Sequence, residues 1–109
     1  MIKPTSSFKD NLQLLPSVEN LLRIELTNTD GELVASIENQ AGKQGSLAVY
    51  QYLEQTFGVI DAQAAVHGME VFAENTADAM KRPGAHPNID RLLNIVGGGD
   101  ALNIHLLRA

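Results

Sequence analysis

Leu22, Ile24 and Leu26 alternate with Arg23, Glu25 and Thr27, and Leu33, Ala35 and Ile37 alternate with Val34, Ser36 and Glu38. A period of two is that of a strand with one buried face. Thr29-Asp30-Gly31 lies between the two runs, and Asp-Gly in that position predicts a hairpin. Near the other end of the chain Leu102, Ile104 and Leu106 alternate with Asn103, His105 and Leu107, which predicts a third strand.

The remaining apolar positions recur at steps of three and four. Leu47, Tyr50, Leu53 and Phe57 form one stripe, with Gln51, Glu54 and Gln55 on the opposite side, so this helix has a face to bury. Ser46 is the expected N-cap and Gly58 the left-handed residue that closes the other end. Ala62, Ala65, Val66, Met69, Phe72 and Ala73 predict a second helix capped by Asp61. Gly68 in its middle costs up to about 1 kcal/mol relative to alanine, and with Ala64 one turn earlier it points to close approach of a neighbouring element. Asn75-Thr76 is the expected break before a short continuation, Ala77 to Arg82, which Pro83-Gly84 stops. Ile89, Leu92, Leu93 and Val96 predict a further helix entered through His86-Pro87-Asn88 and left through Gly97-Gly98-Gly99. A brief first helix carries Phe8, Leu12 and Leu15, with Ser6 or Ser7 as its cap and Pro16 at its end.

The order is therefore α-β-β-α-α-α-β. It predicts an α+β fold with a small three-stranded antiparallel sheet, made of the hairpin plus the C-terminal strand, and helices packed mainly on one face. The first strand belongs in the middle, since it contains neither Gly nor Pro. Its expected inner face is Leu22, Ile24, Leu26, Leu33, Ala35, Ile37, Leu102, Ile104 and Leu106. On the outer face Leu21, Val34 and Leu107 interrupt a polar surface, and two covers are open to it. One is the N-terminal helix; the other, preferred because that helix is short, is a second copy of the chain.

Composition narrows the function classes. At 109 residues and 44% hydrophobic content the chain is expected to form a single domain, residues 1–109, that buries roughly two thirds of its unfolded surface. A net charge of −5 with scattered Lys and Arg argues against nucleic acid. The absence of cysteine, of a membrane-length apolar run and of a signal-peptide pattern at Met1 to Ser7 leads us to expect a cytoplasmic protein without a membrane partner.

Little of the chain spells out chemistry. His67, His86 and His105 are dispersed, so no metal site and no cofactor are expected. Ser46 lies outside a Gly-x-Ser-x-Gly elbow, and no catalytic residue can be named, which leans away from an enzyme. The stretch Gly42-Lys43-Gln44-Gly45-Ser46 is the exception. Lys43 follows the wrong glycine for a P-loop, yet a glycine-flanked loop that opens a helix beside a lysine presents backbone N–H groups to an anion. A second polar cluster holds His86, Asn88 and Arg91. The candidate ligand-binding residues are thus Gly42, Lys43, Gly45, Ser46, His86, Asn88 and Arg91, provided the two loops share one pocket.

The runs Gly42-Lys43-Gln44-Gly45-Ser46-Leu47-Ala48-Val49-Tyr50 and His86-Pro87-Asn88-Ile89-Asp90-Arg91-Leu92-Leu93 resemble a family of short uncharacterised bacterial proteins, over nearly the whole chain. The resemblance implies a bacterial, cytoplasmic, single-domain protein and supplies no catalytic residue. Two readings follow from the residues. The first is a non-catalytic interaction domain, a homodimer through a sheet face or edge. The second is a binding site for a small anion or a phosphate-containing ligand at Gly42 to Ser46.

Overall fold

Strand pairing fixes the frame on which every helix is placed. The computed structural model describes residues 1–109, in the order α1 (Phe8–Leu12), β1 (Leu21–Thr27), β2 (Leu33–Glu38), α2 (Gln44–Phe57), β3 (Val59–Ile60), α3 (Ala62–Phe72), α4 (Glu74–Lys81), α5 (Pro87–Val96) and β4 (Leu102–Arg108). The sheet order is β2-β1-β4-β3 and every neighbouring pair is antiparallel. The α+β class and the central place of β1 are as the patterning predicts.

The three-stranded expectation is corrected by β3. Gly58, at φ 79°, closes α2 by donating its N–H to the Glu54 carbonyl at 2.8 Å. The chain then turns back along β4, where Val59 and Ile60 face Asn103 and Leu102. Two residues are too few to show an alternation, so periodicity cannot reveal such a strand.

Irregular pairing also corrects the predicted inner face. A register shift between Leu21 and Arg23 against β4 turns Leu21 inward, at 2% exposure, and Leu22 outward, at 48%. A second shift after Leu26 sets Ala35 opposite Leu26 and Leu33 opposite Thr27, with Val34 left between them. Leu33 and Val34 are consequently exposed, at 59% and 49%, because a bulge breaks the strict inside-outside alternation. The turn itself is held by the Asn28 side chain, which accepts the N–H groups of Asp30 and Glu32 at 3.0 and 2.9 Å.

Helix α2 lies at the centre of the core with Leu47, Val49, Tyr50 and Leu53 fully buried. Gln51, expected on the solvent side, is buried as well, and its Nε2 donates to the Ser17 carbonyl at 3.0 Å. The segment between α1 and β1 covers that side of the helix and supplies the partner that a buried amide requires. Asp61 caps α3 as predicted, accepting from the Ala64 N–H at 2.9 Å. The buried stripe of α3 is Ala64, Ala65, Gly68, Val71 and Phe72, and Val66 is exposed. Gly68 does mark a close approach, since a Cβ there would stand 2.9 Å from Leu53 Cδ1 and 3.0 Å from Leu92 Cδ1.

The helix break falls at Ala73, where φ is 54°, and not at Asn75-Thr76. Thr76 belongs to α4, and its hydroxyl donates back to the Met69 carbonyl at 2.7 Å, so it bonds the end of α3 across the kink. In α5 the inward residue is Ile95, with Val96 exposed.

Ser7 caps α1, and the helix docks on the helical layer. Phe8 stacks on Phe72 with ring centroids 5.3 Å apart, and the buried Asn11 donates to the Val71 carbonyl at 3.0 Å. The N-terminal helix is therefore no cover for the outer face of the sheet. There an Arg23–Glu25 ion pair and a Thr27–His105 hydrogen bond occupy the polar positions.

Candidate functional site

The loop before α2 is closed by the Lys43 N–H, which donates to the Gln40 carbonyl at 3.0 Å, with Gly42 at φ 84° in the left-handed region. The Lys43 carbonyl then accepts the first helical bond, from the Leu47 N–H at 3.0 Å. Lys43 is thus the N-cap residue, and Ser46 lies in the first turn, where its hydroxyl cannot cap. A lysine side chain cannot accept a hydrogen bond, so the N–H groups of Gln44, Gly45 and Ser46 meet no acceptor within the chain. Every other helix begins with a side-chain cap or an acid: Ser7 at α1, Asp61 at α3, Glu74 at α4 and Asp90 at α5. Helix α2 has neither, so the positive end of its dipole is uncompensated.

The second loop is braced from several sides. Nε2 of His86 lies 2.7 Å from an oxygen of Asp78. An ionised carboxylate only accepts, so this nitrogen carries the proton. Arg82 grips the same carboxylate through its Nε and Nη2. Its hydrogen bonds, then that of His86, hold the Asp78 carboxyl well below the usual carboxylate range. The Gly84 N–H donates to Asp90 Oδ2 at 2.9 Å, and Pro87 occupies the first position of α5, where its missing N–H costs nothing.

Arg91 is oriented by the buried Tyr50. Its Nη1 donates to the Tyr50 oxygen at 3.1 Å and to Asn88 Oδ1 at 2.9 Å, and its guanidinium carbon stands 5.7 Å from the Tyr50 ring centroid. Burial pushes the Tyr50 phenol above 10.0 even though Arg91 pulls the other way. The phenol therefore stays protonated as a donor.

The two loops meet. Gly42, Lys43, Gly45 and Ser46 from one, and His86, Asn88 and Arg91 from the other, line a single cleft of about 480 Å³. Phe8, Phe72, Asn75 and Ser36 also line it; no local motif marks any of them, and Phe8 and Phe72 come from helices remote in the chain from both loops. No aspartate or glutamate lines the cleft. Lys43 and Arg91 form no ion pair, since the chain's pairs are Arg23–Glu25, Arg82–Asp78 and His86–Asp78.

The other histidines lie elsewhere. Nε2 of His67 is 2.7 Å from the Tyr52 hydroxyl, which accepts from the Ile2 N–H at 3.0 Å. Burial lowers the His67 pKa, the nearby Glu70 opposes this and the N-terminal charge adds to it.

A family model described as an uncharacterized protein conserved in bacteria, DUF2322, matches residues 8–106. The chain belongs to this family. No curated protein and no solved structure matches it. The matched DUF2322 segment contains every residue named above as lining the cleft. No helix of this DUF2322 member is long and apolar enough to cross a membrane.

Proposed function

We propose that this chain binds a small anion, a phosphate-bearing one in particular, in the cleft between the N-termini of α2 and α5. The observation that carries the reading is the charge of the walls. In a protein of net charge −5, the cleft has Lys43 and Arg91, neither of them ion-paired, in its lining and no carboxylate. Cations and oriented N–H groups in a concavity shielded from like-charged competitors attract a negative ligand. In this reading Arg91 is the fixed donor and Lys43 the mobile point charge at the rim. Asn88 and Ser46 offer polar contacts, Gly42 keeps the approach to the backbone open, and Gly45 leaves room for the Phe8 ring beside it. The chain acts as a cytoplasmic binding module of one domain.

Thermal unfolding in phosphate and in sulfate tests this. Ligand at a hundred times its Kd stabilises by about 2.7 kcal/mol, so the wild-type Tm should rise, and should rise much less for Lys43→Ala and Arg91→Ala. Equal shifts in all three proteins would return the loop to the role of a plain helix start.

A second reading, an interaction domain that pairs with its own copy, is supported by the exposed Leu22, Leu33 and Val34 at the uncovered side and edge of the sheet. Val34→Glu should then shift light scattering from dimer to monomer with unchanged circular dichroism. A wild type that is monomeric at high micromolar concentration removes it.

A further inference from the structure

Resting on the anion reading, we infer that the ligand is an organic phosphate monoester whose apolar body lies against the ring of Phe8. At about 30 Å³ per heavy atom inorganic phosphate claims at most about 150 Å³, against a cleft of about 480 Å³. Most of the concavity is left for something attached to the head group.

The remaining wall has apolar chemistry. Phe8 stacks on the buried Phe72 at 5.3 Å with an interplanar angle of 30°, Ile37 and Ile89 lie buried in the same wall, and Pro87 extends its exposed part. Half-buried Phe8 keeps part of its ring accessible, and a flat aromatic surface beside a polar anchor suits an aromatic or aliphatic body.

A Cβ on Gly45 would stand 3.1 Å from Phe8 Cε2 and 3.2 Å from Cζ, so the edge of the ring lies directly against the α2 turn whose N–H groups have no acceptor. One molecule can place its head on that turn and its body on the ring. Lys43 and Arg91 match the head group in charge, because a phosphate monoester carries about −1.5 to −2 near neutral pH and a carboxylate less.

Isothermal titration of the wild-type protein with inorganic phosphate and with phenyl phosphate tests the inference. Phenyl phosphate should bind at least about tenfold more tightly, the scale expected for burying a ring. Phe8→Ala should abolish that preference, read as the ratio of the two affinities measured on the same variant. A measurement independent of the variant's folding is the intermolecular NOE in the wild type, expected between the ligand's ring protons and those of Phe8. Equal affinities for the two ligands, or phenyl phosphate bound without those NOEs, overturn the inference and leave the anion reading standing. Binding of neither ligand removes both.

Discussion

The Tyr50 hydroxyl donates to the Asn88 backbone carbonyl at 2.6 Å, and this bond joins the helix that follows the Gly42 loop to the entrance of the helix that carries Arg91. The same oxygen accepts from Arg91. One buried phenol thus sets both the spacing of the two loops and the direction of the guanidinium. Tyr50→Phe should cost about 1–2 kcal/mol in urea denaturation, since a partly buried carbonyl and a cation each lose a partner. It should also weaken phosphate binding, by less than Arg91→Ala does, because Asn88 still holds Arg91. Unchanged stability would mean that solvent replaces the bond at no cost.

Asn11 ties the N-terminal segment to the helical layer. Fully buried, it donates from Nδ2 to the carbonyls of Thr5 and Val71 at 3.0 Å each, and its Oδ1 accepts from the Thr5 N–H at 2.7 Å. Asn11→Ala leaves the buried Val71 carbonyl without its partner and frees the part-buried Thr5 N–H and carbonyl to solvent, with an expected loss of about 1–3 kcal/mol. Hydrogen exchange should show the amides of α1 opening before those of β1. A loss no larger than that of a surface substitution would show that this tether is not needed.

Gly68→Ala brings two effects into opposition. The added Cβ meets Leu53 Cδ1 at 2.9 Å and Leu92 Cδ1 at 3.0 Å, both on fully buried side chains. Overpacking costs about 1–3 kcal/mol, and the gain in helix propensity returns about 1 kcal/mol. A net loss of about 1 kcal/mol is expected in equilibrium unfolding. A more stable variant would show that the leucines move aside freely.

His67 makes stability depend on pH. Its folded pKa lies below the ordinary 6.5, chiefly through burial, so on acidification the unfolded chain takes up the proton first. Wherever the unfolded state binds more protons, stability rises with pH. The contribution of His67 is therefore present above 6.5 and is lost as pH falls through the lower folded value. Asp78, whose pKa is depressed below its ordinary 3.8, acts in the same direction at more acid pH and leaves this window clear. The Tm should drop between about pH 7.5 and about pH 5.5, and the drop should be smaller in His67→Gln. Parallel drops in the two proteins would assign it to other groups.

Features set by a few neighbouring residues were legible in the sequence. Asp30-Gly31 marks the hairpin, Asp61 a helix start, Gly58 a helix end and Pro87 the first turn of α5, because each acts through its own φ or its own hydrogen bond. The alternation in β1, β2 and β4 carried the sheet class, since burial of one face imposes that period, and the lack of Gly and Pro in β1 marked its place inside the sheet. Both loops that line the cleft stood out as polar and glycine-rich stretches for the same local reason.

The rest depended on contacts that no local pattern encodes. Whether Leu21 or Leu22 turns inward is decided by a register shift against β4, and Gln51 is buried because a distant carbonyl, that of Ser17, is there to receive it. The meeting of Gly42 to Ser46 with His86 to Arg91 was likewise invisible. It requires Tyr50 to reach Asn88, and Phe8 to lie against both Phe72 and Gly45. Packing of side chains from separate helices sets that distance, and a cleft built at the meeting of several helix ends exists only once those helices have been docked on the sheet.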